Sequence, residues 1–343
     1  MILHYCESTF QSPHHHPLSD DLNAYTVLTS RRFLRARSFN VQKAYEQFER
    51  SSTWRQTYKV DSTYDSFPIT EFESSKQFYP RWNGRRDHLG RPIYIYRLAS
   101  LVQHSKELMS VPEERRYQRI ISLTEYLVRF VLPLCSDMTD DKSVDCVTTI
   151  IDLEGISVTS LWTLKSHLQQ SISLTSGNYP ETINTICVVN APSFFPTIWG
   201  WVKNMFDEGT KNKVHLTGSG PGQGKELMEV IPAANLPKVY GGDMEWTYED
   251  EPMLDEEIKA KIGANAIQGP VVWEEGKMVL LGQGERDEAA KPKAGSAQNG
   301  ASSQPVQNGT TSTSSNGNSD LEPHATPAIP TAPGPPAQPV SSA

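Results

Sequence analysis

The stretch Cys146–Pro192 most narrows what this chain can fold into, because it reads as two apolar strands joined by one amphipathic helix. Cys146-Val147-Thr148-Thr149-Ile150-Ile151-Asp152-Leu153 is a β-branched run of strand length. Gly155 interrupts it, and Ser157 or Thr159 offers a side-chain oxygen to cap a helix. Leu161, Leu164, Leu168 and Ile172 then recur at spacings of three and four, a single apolar stripe. Gly177-Asn178 stops the helix, Tyr179-Pro180-Glu181 turns the chain, and Thr185–Asn190 supplies the second strand. A strand, crossover helix and strand of this size form a βαβ unit whose strands lie parallel in one sheet. Both strands are apolar on consecutive residues, so both faces of that sheet are expected to be covered.

The flanking sequence divides by pattern. Residues 1–19, with His14-His15-His16 among prolines, read as a flexible leader, and the histidine run as a solvated tail rather than a metal site. Residues 20–75 read as a helical region, with Asn40 as N-cap of its second helix. Within it, 56–75 is expected to be a connection with short helical pieces. Tyr79-Pro80-Arg81-Trp82 is expected to lead to a turn at Asp87-His88-Leu89-Gly90, followed by a strand over Arg91–Leu98. Residues 112–132 predict a long helix that Pro133 ends. Phe194–Phe206 is apolar almost all round, which fits either a buried core helix or one that faces something other than water. Shorter elements are expected at Lys213–Thr217 and Lys225–Val230, and 246–284 reads as a C-terminal extension. From 285 to 343 the chain holds scarcely a large apolar residue, so it cannot offset the entropy of ordering and reads as disordered.

Several function classes fall away. The net charge of −8 argues against a nucleic-acid surface. The four cysteines lack metal-binding or redox spacing and read as reduced, buried thiols. No apolar run reaches the ~20 residues that span a bilayer. Gly224-Lys225 suggests a phosphate loop, but Ser219 stands where its first glycine belongs and Glu226 where its magnesium-binding hydroxyl belongs. No esterase elbow or zinc-protease motif is present, and Asp152 and Glu154 read by default as helix-start charges or salt-bridge partners. No metal site, cofactor or catalytic residue is therefore expected.

Six motifs together resemble a family. Phe33-Leu34-Arg35-Ala36-Arg37-Ser38-Phe39 is similar to the FLRARKF motif of the CRAL-TRIO lipid-binding proteins, and Asp87–Tyr94 to their D-x-x-G-R-P-V-Y strand. Ile151–Ser157, Tyr179-Pro180-Glu181, Val189–Pro192, and Leu236-Pro237 with Gly241-Gly242 follow in family order. The resemblance covers residues 24–245 and is nearest to the yeast-type phosphatidylinositol/phosphatidylcholine transfer proteins. It implies an α/β fold: an N-terminal helical region, then a domain over 76–245 with a mixed, largely parallel sheet and flanking helices around a lipid cavity. Covering two acyl chains withdraws on the order of 20–25 kcal/mol of apolar surface from water, so only a cavity that takes the whole lipid suffices. Val147, Ile150 and Val188 are expected to floor that cavity, although the same residues would also simply fill a core.

The resemblance also implies roles residue by residue. Arg37, Glu181, Thr210 and Lys213 match the phosphatidylinositol head-group set, whereas Ser38 and Thr182 replace family cations. Tyr94 and Thr149 match the second-ligand pocket, but Val147 stands at its serine and aromatic partners are absent at Asn83 and Thr124, so phosphatidylcholine is expected to be a poor ligand. Phe194, Ile198, Trp199, Trp201, Val202, Met205 and Phe206 form the expected gate, with Trp199 or Trp201 entering the bilayer interface. The implied function is non-enzymatic exchange of phosphatidylinositol against a second hydrophobic ligand. Its expected partners are phospholipid and, transiently, a membrane surface, for a cytoplasmic monomer peripheral to Golgi or endosomal membranes. The alternatives are a carrier of a sterol or another small hydrophobe, and a regulator that presents phosphatidylinositol to a lipid kinase.

Overall fold

The computed structural model describes residues 20–139, 143–203, 208–217, 222–263 and 267–282, with the side chains of 20–27, 198, 201, 202 and 208 excepted. The expected leader, the expected disordered tail, and Met205 and Phe206 of the expected gate lie outside the described residues.

A five-stranded sheet carries the fold in the order β1 (Arg81–Arg86), β2 (Pro92–Arg97), β3 (Val147–Asp152), β4 (Ile183–Val189) and β5 (Val214–Leu216). β1 runs antiparallel to β2, and β2 to β5 are mutually parallel. The helices around it include α1 (Asp20–Ala36), α2 (Val41–Thr57), α3 (Glu113–Tyr126), α4 (Val158–Asn178) and α5 (Phe195–Val202). Asn40 caps α2 through the Lys43 amide, and Ser157 and Ser160 cap α4 reciprocally. β3, α4 and β4 are the βαβ unit read from the sequence.

Strand alternation sorts the core into two faces. Tyr94, Val147, Ile186 and Val188 point to the side of α3, α4 and α5. Ile93, Ile95, Ile150, Cys187 and Val189 point the other way, under Leu227, Leu236, Tyr240 and Trp246. The expected floor is corrected here: Val147 and Val188 share a face, but Ile150 lies three residues beyond Val147 and so projects to the opposite one. Asp152 is also more than a helix-start charge. It is 1% exposed and accepts from Tyr240 Oη at 3.0 Å, Asn190 Nδ2 at 2.9 Å and the Glu154 amide at 2.9 Å.

Two local expectations fail for identifiable reasons. The approach to Asp87 is a strand, β1, which the polar run Arg81-Trp82-Asn83-Gly84-Arg85-Arg86 conceals. Gly84 sits there at φ +86°, where a Cβ would lie 2.6 Å from the Met253 carbonyl carbon, so only glycine admits the crossing segment. Pro133 does not end the helix after α3. A π turn over Leu127–Val131 leads into a further helical turn, Leu132–Ser136, and this wider turn displaces the carbonyls that the proline ring would strike. The extension after 246 folds back onto the domain: the hairpin β6 (Val271–Glu274) and β7 (Lys277–Leu280) buries Trp273 against Phe130, with ring centroids 6.5 Å apart.

Candidate functional site

The Tyr179-Pro180-Glu181 turn sits where the N-terminal helices meet the sheet domain. Gln47 and Ser51 of α2 donate to the carbonyls of Gly177 at 3.3 Å and Asn178 at 3.1 Å. One turn on, Arg55 grips the fully buried Glu125 carboxylate through two nitrogens, at 2.7 and 3.1 Å, and Tyr179 Oη donates to the same carboxylate at 2.5 Å. A bidentate arginine–carboxylate pair fixes orientation as well as distance. The turn is thus pinned from both α2 and α3, and it holds Glu181 at φ +58°, a region that side-chain-bearing residues enter infrequently.

That conformation aims Glu181 at β5. Lys213 Nζ donates to Glu181 Oε2 at 2.9 Å and to the Ile183 carbonyl at 2.9 Å, and both side chains are about four-fifths buried, 20% and 19% exposed. The Lys213 amide also donates to the Thr210 carbonyl at 3.1 Å. Two of the four head-group candidates, Glu181 and Lys213, are therefore joined at the leading ends of β4 and β5, and the Thr210 backbone precedes Lys213 by one turn. Arg37 is not among them. It follows the last turn of α1, its guanidinium donates to the Ala36 carbonyl at 3.1 Å, and among the described residues no contact joins it to the Glu181–Lys213 pair. Its neighbour Arg35 pairs instead with the buried Asp145 at 2.9 Å.

The second-ligand candidates line the sheet face toward α3 and α4. Tyr94 and Thr149 are direct partners in the β2–β3 register, and Val147 is two residues along β3 on the same side. The structure also reveals polar groups in this region that the motifs did not flag. Tyr94 Oη, Tyr79 Oη, Ser122 Oγ and both ring nitrogens of His167 are buried with no hydrogen-bond partner. The Tyr79 and His167 rings lie 5.7 Å apart. Burial, helped by the nearby Arg116 charge, pushes the His167 pKa down to about 4, so its imidazole is neutral with one donor and one acceptor nitrogen. Burial likewise keeps the Tyr79 and Tyr94 hydroxyls protonated. Unpaired buried polar atoms are costly, which makes four such groups on one side of a sheet a fit for a ligand that brings its own polar group inside. A histidine within the apolar stripe of α4 was the visible sequence sign. Among the described residues no cluster of side chains could hold a metal, and no helix is long and apolar enough to cross a membrane.

α5 closes one side of this face. Phe195 is buried beside Leu161, Ile186 and Val188, and Trp199 stacks on it with centroids 6.1 Å apart. Of the two indoles expected at the bilayer interface, Trp199 is half-buried against that cluster, and among the described side chains of α5 Pro196, Thr197 and Gly200 are exposed. Phe194 packs inward as well. Ile198, Trp201 and Val202 belong to α5, but their side chains lie outside the described residues.

Comparison with known proteins follows this geometry. A family model described as the CRAL/TRIO domain matches residues 76–242. The Sec14 cytosolic factor of Schizosaccharomyces pombe is 34% identical over 212 residues, 62% of this chain and 73% of that protein. The phosphatidylinositol/phosphatidylcholine transfer protein SFH11 of Arabidopsis thaliana is 35% identical, over 68% of this chain and 63% of its own. Among solved structures, the crystal structure of Sfh5 superposes with a TM-score of 0.51 at 17% identity, covering 72% of this chain and 83% of that one. That likeness bears on the fold alone.

Proposed function

This chain belongs to the CRAL-TRIO family, and from that premise we propose that it binds phosphatidylinositol and exchanges it between membranes against a second hydrophobic ligand, without catalysis. The acyl chains lie against the Tyr94–Thr149 side of the sheet, and the head group is held by Glu181, Thr210, Lys213 and Arg37. The Lys213–Glu181 pair is the observation that carries this reading. Lys213 spends two of its three N–H bonds on Glu181 and Ile183, which leaves a charge-assisted donor for a phosphate. Glu181 accepts from inositol hydroxyls through its other oxygen. The reading requires the Arg37 side chain to leave its bond to the Ala36 carbonyl and turn toward the phosphate.

Lys213→Ala is the test. Losing a charged donor of ~1.5–3 kcal/mol should lower phosphatidylinositol transfer at least severalfold, with a fall in melting temperature as Glu181 loses its cation but a cooperative fold retained. Undiminished transfer would remove the head-group assignment. A sterol or another neutral hydrophobe as second ligand has support of its own: neutral His167 and Tyr79 suit a hydroxyl, which donates and accepts, better than an anion. Lipids extracted from purified protein distinguish the cases, since a neutral second ligand predicts a hydroxylated hydrophobe beside phosphatidylinositol and little phosphatidylcholine.

A further inference from the structure

We propose that the corner between α1 and α2, with Phe39 and Val41 at its tip, docks onto the head-group layer of an anionic bilayer. The proposal rests on the lipid-exchange reading above, since a carrier must meet a membrane. α1 ends in a Schellman closure: the Ser38 amide donates to the Arg35 carbonyl at 3.0 Å, and the Phe39 amide to the Leu34 carbonyl at 2.8 Å. Glycine ordinarily supplies the left-handed residue of such a closure, and the apolar side chain after it ordinarily packs back on the helix. Here Ser38 and Phe39 both take the left-handed backbone, at φ +50° and +60°, and Phe39 stays 66% exposed. Val41, two residues on, is 52% exposed. Behind the corner Phe33 and Phe48 lock α1 to α2, edge to face with ring centroids 5.3 Å apart. A strained turn that keeps two apolar side chains in water, on a packed support, calls for a partner.

Charge identifies that partner as an anionic bilayer. The chain carries 40 acidic against 32 basic residues, yet residues 31–43 hold five cations and no carboxylate. Arg32 is buried, and Arg35 pairs with Asp145. Arg31, Arg37 and Lys43 have no carboxylate partner among the described residues. Glu46, the first carboxylate after them in the chain, accepts from Gln42 at 3.1 Å. Residues 38–43 are all exposed, so the corner projects from the surface. A folded acidic partner needs a complementary face of ~800 Å², which a projecting turn does not offer. A deformable head-group layer admits such a point: the phenyl ring enters the acyl boundary while Arg31 and Lys43 meet lipid phosphate.

Position agrees with chemistry. Asp145, Glu181 and Lys213 immediately precede the parallel strands β3, β4 and β5, so all three stand at one edge of the sheet. The Arg35–Asp145 pair, at 2.9 Å, fastens the corner to that edge. A membrane in contact with Phe39 therefore lies at the edge where the exchange reading puts the lipid head group.

The test uses the full chain and vesicles of phosphatidylcholine, with and without phosphatidylserine, so that the anionic lipid is not the proposed cargo. Wild type should float with the anionic vesicles and lose much of that binding in high salt. Phe39→Asn removes the ring and suits the left-handed backbone, so the melting temperature should hold while co-flotation falls roughly tenfold. Replacing the exposed Arg31 and Lys43 together by Gln should lower binding to anionic vesicles roughly tenfold and leave binding to pure phosphatidylcholine unchanged. Either variant floating like wild type with anionic vesicles would overturn the proposal, as would a wild type indifferent to phosphatidylserine. A wild-type dimer that Phe39→Asn dissolves without loss of flotation would overturn it too. The two readings fail separately. Wild type that docks through Phe39 but never carries phosphatidylinositol defeats the exchange reading alone, and Lys213→Ala should still float.

Discussion

The two sides of the central sheet arise from the same strands yet treat polar groups in opposite ways. On the side of Ile150 and Cys187, buried carboxylates are saturated. Asp152 accepts from Tyr240, Asn190 and its own turn, and Asp87 accepts from Thr148 Oγ1 at 2.8 Å and from the Leu89 and Arg91 amides at 2.8 and 2.9 Å. On the side of Val147 and Tyr94, four side chains place polar atoms in the interior without a partner. The first side is built as a permanent core, where the buried carboxylates Asp87 and Asp152 are matched inside the chain. The second has the composition of a binding surface, and the apolar floor alone would not have told them apart.

The comparison is open to direct attack. Removing Asp152 should do most damage, because Asp152→Ala strands the Tyr240 hydroxyl and the Asn190 amide in the core. At ~1.5–3 kcal/mol for each hydrogen bond to a charged group, chemical denaturation should show a loss of about 3–5 kcal/mol. A loss below ~1 kcal/mol would show that this side is not the rigid one.

His167 offers an effect of intermediate size. Its folded pKa of about 4 lies below the unfolded 6.5, so between these values the unfolded chain binds a proton that the folded one excludes. Its contribution is complete above about pH 6.5 and lost as pH falls through about 4, on the order of 3 kcal/mol across the window. Stability of the lipid-free protein should therefore decline more steeply from pH 6.5 to 4 than that of His167→Gln. Parallel curves would mean that His167 is solvated.

Tyr94→Phe should change stability least, within ~1 kcal/mol, because the deleted hydroxyl has no partner to lose. Retention of the second ligand should nonetheless fall severalfold. Val147→Ser, which adds a donor to the same side, should raise phosphatidylcholine transfer relative to phosphatidylinositol. Neither variant altering the bound lipids would make this side an ordinary core.

How much of this was legible in the sequence depends on the element. β3, α4 and β4 announce themselves by β-branched runs and a stripe of period 3.6, signals that burial on both faces enforces. β1 does not, since its six residues include three arginines and a glycine and its place is set by β2 and by the segment at Met253. The course past Pro133 was hidden because a π turn is a tertiary accommodation with no sequence pattern of its own. Glu181 and Lys213 stand 32 residues apart and meet only because β4 and β5 are neighbours, so the family motif named them but no local pattern joined them. The unpaired state of Tyr79 and Tyr94 is likewise a property of packing, and apolar periodicity is blind to it.

Native mass spectrometry of the full chain, purified without added lipid, tests the central claim most directly. The account predicts one phosphatidylinositol per protein, with occupancy severalfold lower in Lys213→Ala. A chain that carries no phospholipid, or a Lys213→Ala variant that keeps phosphatidylinositol at the wild-type level, would contradict it.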